Sequence, residues 1–356
     1  MLGINQPPVA IEFTEKNIIE HAYNNNLIKP FIPTTRTGKT VAVVGAGPAG
    51  LATAEQLNKA GHSVVLFERA EEAGGLLRYG IPDFKLEKWI VQRRVEVMKA
   101  SGIEFLLGVN VGVDISAETL QNDYDAVILT GGSTVPRNVP IKGRELNGVH
   151  FAMDFLSQQN HRNADKTGIK NHKGETIEEI FATDKNVVVI GGGDTGSDCV
   201  GTSNRHGAKT VTQIELLAKP PQNRAEETPW PLWPMQLRTS SSHEEGCNRK
   251  WALFTKEFVG DENGNLKGIK VAEMGWSEPQ AGKKPHWEEQ EGTEVEIPCE
   301  LALLAIGFLH PQHEGLLDNL GLEYDQRGNV KAEANYQTTT NDKVFVAGDM
   351  RRGQSL

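Results

Sequence analysis

Cysteine is scarce in this sequence. Three stand in 356 residues, Cys199, Cys247 and Cys299, and no two are close enough to make a C-x-x-C pair. That spacing excludes a disulfide-stapled fold, a thioredoxin-like redox pair and a complete set of cysteine ligands for an iron–sulfur cluster. A basic surplus is lacking too: 37 Lys and Arg stand against 47 Asp and Glu, for a net charge of −10. Proteins that bind duplexes carry a basic balance or a basic stripe, so nucleic acid is not an expected partner. No apolar run reaches the roughly 18 residues needed to cross a bilayer. The first residues lack the basic start and apolar core of a signal peptide. A cytoplasmic protein without membrane contact and without a metal site is therefore expected.

Glycine, by contrast, is plentiful at 37 residues, and its placement is informative. Thr40-Val41-Ala42-Val43-Val44 is an apolar, β-branched run of the kind buried on both faces of a parallel sheet. Gly45-Ala46-Gly47-Pro48-Ala49-Gly50 follows, then a stretch of helix formers to Lys59, Gly61 as a helix stop, and a second strand from Ser63 to Glu68. In a G-x-G-x-x-G turn the first glycine allows the tight bend, the second lets a pyrophosphate approach the backbone, and the third lets helix and strand pack closely. The unpaired N–H groups at the helix start then face the phosphates. Glu68 closes the next strand, where a carboxylate can accept hydrogen bonds from both ribose hydroxyls.

The same grammar recurs. Asn186 to Ile190 reads as a strand, Gly191-Gly192-Gly193-Asp194-Thr195-Gly196 as the turn, a helix runs to about His206, and Val211 to Leu217 is the next strand, with Glu215 in the place of Glu68. Two copies of one nucleotide-binding unit in a chain long enough for about two domains are the most informative feature of the sequence. Lys219 and Arg224 follow in a Pro-rich loop that can fold back over a 2′-phosphate, so the residues alone leave NADH versus NADPH open.

Other stretches fall in place around these copies. Ile11 to Asn26 has helical spacing and reads as a lead-in helix. Gly74 to Pro82 is a Gly-rich turn beside the first copy. Asp125 to Thr130 is a strand ending in Gly131-Gly132, and residues 133–155 read as a crossover. Trp251–Val259 and Leu266–Trp276 flank a turn and read as a hairpin. Glu300 to Ile306 is a strand before Gly307, and Lys343 to Ala347 is a strand before Gly348-Asp349.

Two stacked glycine loops, the Gly74–Pro82 stretch, Gly131-Gly132 and a late Gly-Asp together resemble the flavin-dependent pyridine-nucleotide reductases. Within these, Gly74 to Leu86 (GGLLRYGIPDFKL) is similar to the small (β) subunit of glutamate synthase and to dihydropyrimidine dehydrogenase. Lys219-Pro220-Pro221, Thr228 to Pro234 (TPWPLWP) and Arg238 to Glu245 (RTSSSHEE) resemble glutamate synthase itself. The resemblance covers nearly the whole chain. It implies an α/β fold of two nested Rossmann-like three-layer dinucleotide-binding domains behind a short N-terminal helical segment. Residues 1–37 would be a remnant of an iron–sulfur region. Residues 38–150 plus 310–356 would bind FAD, and residues 151–309 would be an inserted NAD(P)H domain.

The resemblance also implies the site. Gly45, Gly47, Pro48, Ala49, Gly50, Glu68 and Arg69 would hold the adenosine diphosphate of FAD. Gly75, Leu76 and Gly131 would lie along the flavin, with Gly348 and Asp349 on the ribityl-pyrophosphate. Gly191, Gly193, Asp194, Thr195, Gly196, Glu215 and Arg224 would bind NADPH or NADH, and Gly307 would line the nicotinamide approach. No side chain is expected to act as catalyst, because the cofactor carries the chemistry and the protein positions it. The implied activity is hydride transfer from NAD(P)H to FAD, with electrons passed towards a large (α) subunit that makes glutamate. Relatives carry an N-terminal cysteine-rich region and a helix after the Gly-Asp pair. This sequence is therefore expected to be cut short at both ends and to lack the cluster ligands. Many relatives have Arg-Arg where Leu216-Leu217 stands here. The alternative is a non-catalytic nucleotide-binding or docking module. A flavin disulfide reductase would need the cysteine pair that is missing.

Overall fold

The computed structural model describes residues 10–165, 178–232, 234–276 and 287–354. Helix α1 (Ile11–Asn24) buries none of its residues. It is held from one side, where Arg93 of a later helix meets both Glu20 oxygens at 2.8 and 2.5 Å and lies 4.0 Å from the Tyr23 ring centroid. The helix stops short of the expected Asn26, whose φ of 55° leaves the helical region.

Strand β1 (Thr40–Val44) leads into α2 (Pro48–Lys59), and Pro48 suits the helix start because its missing N–H would have no partner there. β2 (Ser63–Glu68), α3 (Leu76–Tyr79), α4 (Lys88–Ala100), β3 (Glu104–Leu107), α5 (Ala117–Asp123) and β4 (Ala126–Leu129) follow. The turn expected at Gly74–Pro82 thus contains a single helical turn, α3. Alternation along β1 sends Val41 and Val43 to one face, against Ala54, Val95 and Met98, and Ala42 to the other, against Leu120 and Leu317. Both faces are dry, which is why the strand reads as a continuous apolar run.

β5 (Val149–Phe151) lies within the stretch read as a crossover: three residues are too few to show an alternation. Then come α6 (Ala152–Asn163), β6 (Asn186–Ile190), α7 (Asp194–Arg205), β7 (Thr210–Ile214), α8 (Ser241–Glu244) and β8 (Asn248–Lys250). β9 (Leu253–Gly260) and β10 (Leu266–Trp276) form the expected antiparallel hairpin, joined in a small sheet by β11 (Trp287–Glu289) and β12 (Val295–Pro298). The chain returns through β13 (Leu301–Leu304), α9 (Leu316–Asn319), β14 (Val344–Val346) and α10 (Asp349–Arg352), so one helical turn does follow Gly348.

Two five-stranded parallel sheets result. Their strand orders are β14-β4-β1-β2-β3 and β5-β13-β6-β7-β8. In the second sheet, Val187 and Val189 face α6 and α7 through Phe155 and Val200, while Val188 and Ile190 face the small antiparallel sheet through Phe258 and Val271. The fold is α/β and layered, with Rossmann-like strand–helix–strand units in each sheet. The two connections between the sheets run side by side. Val135 N–H donates to His310 O at 3.0 Å, Arg137 N–H to Gly307 O at 2.9 Å, and Leu309 N–H to Val135 O at 2.8 Å.

Candidate functional site

At the C-terminal edge of the first sheet, β1 runs into the loop Gly45–Gly50. Gly45 has φ +104°, and a Cβ on it would lie 2.7 Å from Thr130 O. On Gly50 a Cβ would lie 1.8 Å from Gly45 O, so only glycine lets α2 start this close to the loop. The Thr130 hydroxyl donates to both Val44 O and Gly45 O at 2.9 Å, tying the end of β4 to the bend. Gly47 differs from its neighbours: a Cβ there would meet nothing within 4 Å. The space over Gly47 is what a pyrophosphate would fill, beside the start of α2.

Three further segments close on this space. Gly74 N–H donates to Ala46 O at 2.9 Å. A Cβ on Gly75 (φ +53°) would come 2.8 Å from Gly47 Cα. Gly348 (φ +70°) abuts Ala49, and Gly131 lies against the Met350 side chain. Gly45, Gly47, Pro48, Ala49, Gly50, Gly75, Gly131, Gly348 and Asp349 are therefore gathered at one sheet edge, with Leu76 half exposed on the first turn of α3. Glu68 stands at the end of β2, as expected, and has a further task. Its carboxylate accepts from Ala46 N–H at 2.7 Å and Ala70 N–H at 2.9 Å, bracing the glycine loop itself. Arg69 reaches Gln312 at 3.3 Å.

The second sheet repeats the design. Gly191 has φ +123°, a Cβ on Gly196 would lie 2.3 Å from Gly191 O, and the space over Gly193 is open in the same sense as that over Gly47. Gly193 caps α7, with Asp194 and Thr195 in its first turn. Glu215 accepts from Gly192 N–H at 2.5 Å and Leu217 N–H at 3.3 Å, as Glu68 does in the first unit. Here Gln213 takes the part of Thr130: its amide donates to Gly191 O at 2.9 Å. The Gln213 carbonyl meets His243 Nε2 at 2.9 Å, and His243 Nδ1 accepts from Ser240 N–H at 3.1 Å. Burial, with Arg249 and Lys85 nearby, lowers the His243 pKa to about 4. The ring is therefore neutral near pH 7 and carries its proton on Nε2.

Arg224 is engaged within its own segment. Its guanidinium bonds Thr228 O at 3.3 Å and Leu232 O at 3.5 Å, while Lys219 lies 4.9 Å from the Trp251 ring centroid. The Pro-rich segment curls on itself because its own carbonyls offer the nearer partners. Gly307 sits at the crossing of the two connections, and a Cβ there would meet Gln354 Oε1 at 2.5 Å. Thr130 and Gln213 carry no motif signal, and His243 lies in the RTSSSHEE stretch without a role that the sequence reveals; only the folded chain shows that the three support the loops. Among the described residues no group of three His, Cys, Asp or Glu could hold a metal ion, and no helix is long and apolar enough to cross a membrane. Cys199 and Cys299 are buried and unpaired.

A family model described as pyridine nucleotide-disulphide oxidoreductase matches residues 39–231 and 255–356. The glutamate synthase [NADPH] small chain of Mycobacterium tuberculosis is 49% identical over 356 residues, which are 100% of this chain and 71% of that one. The chain belongs to the pyridine nucleotide-disulphide oxidoreductases, on the branch of the glutamate synthase small chains. Another member of that branch, from Bacillus subtilis, is 43% identical and also covered over 71% of its length. The glutamate synthase [NADH] of Schizosaccharomyces pombe is 44% identical, with this chain spanning 17% of it. Among solved structures of these oxidoreductases, Mycobacterium tuberculosis FprA in complex with NADPH superposes with a TM-score of 0.68 at 17% identity, over 89% of this chain and 80% of that one. Thioredoxin reductase from T. acidophilum superposes with a TM-score of 0.59 at 20% identity, over 89% and 92% of the two chains. At those identities the structures speak for the fold alone.

Proposed function

We propose that the protein passes a hydride from NAD(P)H to a bound FAD and serves as the electron-input subunit of glutamate synthase, working with the large (α) subunit. The observation that carries this reading is the pair of matching loops. Each has an open backbone surface over its central glycine and a carboxylate bracing it from behind. Residues 38–150 with 310–356 would form the FAD unit, and residues 151–309 the NAD(P)H unit.

Bound FAD supplies the hydride acceptor. The protein's own part is placement. The starts of α2 and α7 present N–H groups to the two pyrophosphates. Glu68 and Glu215 hold the loops in shape, and at those strand ends each carboxylate would also be the acceptor for the adenosine ribose hydroxyls. Gly131, Gly348 and Asp349 close the flavin side of the first loop. No acid or base is needed among them, since holding two rings in contact removes the entropic part of the barrier. Two of the three cysteines are buried, and the name small chain borne by the relatives supports a large subunit as the partner towards which electrons would leave.

The purified protein is mixed anaerobically with FAD and either NADH or NADPH while the visible flavin band is followed. Bleaching is expected; an unchanged band with both nucleotides would refute the proposal. Adding the large subunit with glutamine and 2-oxoglutarate should then yield glutamate.

A further inference from the structure

The stretch from Gly74 to Lys88 does more than approach the first loop. It leaves that loop at Gly74 and Gly75 and crosses to the second unit. There Phe84 stacks under Arg205 of α7, 3.6 Å from guanidinium carbon to ring centroid. Lys85 pairs with Asp198 of α7 at 2.5 Å and donates to Ser197 Oγ at 3.0 Å. On the way, Ser157 and Asn160 of α6 bond Tyr79 O and Ile81 O, both at 3.2 Å. Lys88 holds the strap's shape from within: its ammonium bonds Ile81 O and Leu86 O and pairs with Asp83 at 3.3 Å.

One strap thus links the pyrophosphate loop of one unit to the helix that starts at the pyrophosphate loop of the other, for Ser197 and Asp198 come directly after Gly196. The other attachment is the pair of connections at Val135–Arg137 and Gly307–Leu309, bonded to each other as a two-stranded joint. The Lys85–Asp198 pair is well screened from water, with side-chain exposures of 25% and 10%. A buried pair adds little net stability, yet removing one partner strands the other charge.

We propose that Lys85 is a positioning residue: its pairing with Asp198 latches the two dinucleotide units at the angle that brings their redox rings together. The hydride step rests on the function proposed above, whereas the latch itself can be read without it. Breaking the pair leaves both pockets intact and lets the joint sample other angles, so the fraction of productive encounters drops.

The test compares the full chain with Lys85→Met and Lys85→Arg. Linker opening is read first, from hydrogen exchange at the amides of Val135, Arg137 and Leu309 and from the radius of gyration in solution. Lys85→Met should speed exchange at these amides and broaden the particle, and Lys85→Arg should restore both. Flavin reduction is read second, by stopped flow. Lys85→Met should slow it at least ten-fold while affinities for FAD and oxidised nucleotide stay within two-fold. Unchanged exchange and size in Lys85→Met would overturn the latch, and so would slowing accompanied by loss of FAD. Opening of the joint in a protein whose flavin never bleaches would keep the latch and refute the hydride reading instead.

Discussion

Glu215 accepts a hydrogen bond from the backbone N–H of Gly192 at 2.5 Å. The bond fixes the carboxylate at the strand end beside which an adenosine ribose would lie, and a fixed anion there opposes a 2′-phosphate. Glu215→Gln keeps an acceptor for Gly192 and removes the charge. Its kcat/KM with NADPH should rise relative to that with NADH by up to about ten-fold, or 1.4 kcal/mol. An unchanged ratio would mean that the 2′-position does not face this side chain.

Gly47 and Gly50 should behave as opposites. Gly50→Ala forces its Cβ to 1.8 Å from Gly45 O, so it should cost about 3 kcal/mol and lower the thermal midpoint even without cofactor. Gly47→Ala meets no neighbour within 4 Å and has φ −72°, so the free protein should keep its stability to within about 1 kcal/mol. FAD affinity should nevertheless fall at least about ten-fold, because the methyl group occupies the pyrophosphate's place. Gly193→Ala should do the same to NAD(P)H and spare FAD.

The stability of the protein should decline as pH falls from about 6.5 to 4. Burial lowers the pKa of His206 and of His243 to about 4 each. Between the two limits the unfolded chain takes up protons that the folded chain refuses, so acid favours unfolding. Above pH 6.5 both rings are neutral in either state and the effect vanishes. Denaturant titrations across this range check the sign. His243→Gln should flatten part of the slope and also weaken nucleotide binding, because His243 supports Gly191 through Gln213.

Thiol reagents should leave Cys199 and Cys299 untouched in the native protein. Burial pushes the Cys199 thiol well up and that of Cys299 to about 12, so neither offers a thiolate near neutral pH. Mass spectrometry after alkylation at pH 8 should find modification at the half-buried Cys247 alone. Label on either buried thiol without denaturant would contradict this packing.

The parts legible in the sequence are those whose physics is local. Each glycine loop joins a strand to the helix that follows it within a few residues, so spacing and residue type reveal both, and the buried faces of β1 and β6 show as apolar runs. The supports are not local. Lys85 and Ser197 stand 112 residues apart, and Gln213 and His243 stand 30 apart with no regular spacing to announce them. Glu68 and Glu215 were rightly placed at their strand ends, yet their bonds to the loops depend on how close the loop curls back. Arg224 kept two readings, because a cation in a loop after the strand fits a phosphate as readily as it fits its own carbonyls. β5 stayed hidden because three residues on a sheet edge carry no period.

β14 supplies the edge of the first sheet by pairing with β4, although the whole of the second sheet is encoded between them. On the ribosome, the inner unit therefore has all of its strands once Leu304 has emerged, while the outer unit still waits for Val344 to Val346. Maturation should run from the inside outwards, with nucleotide able to seat in the inserted unit before flavin finds a finished home.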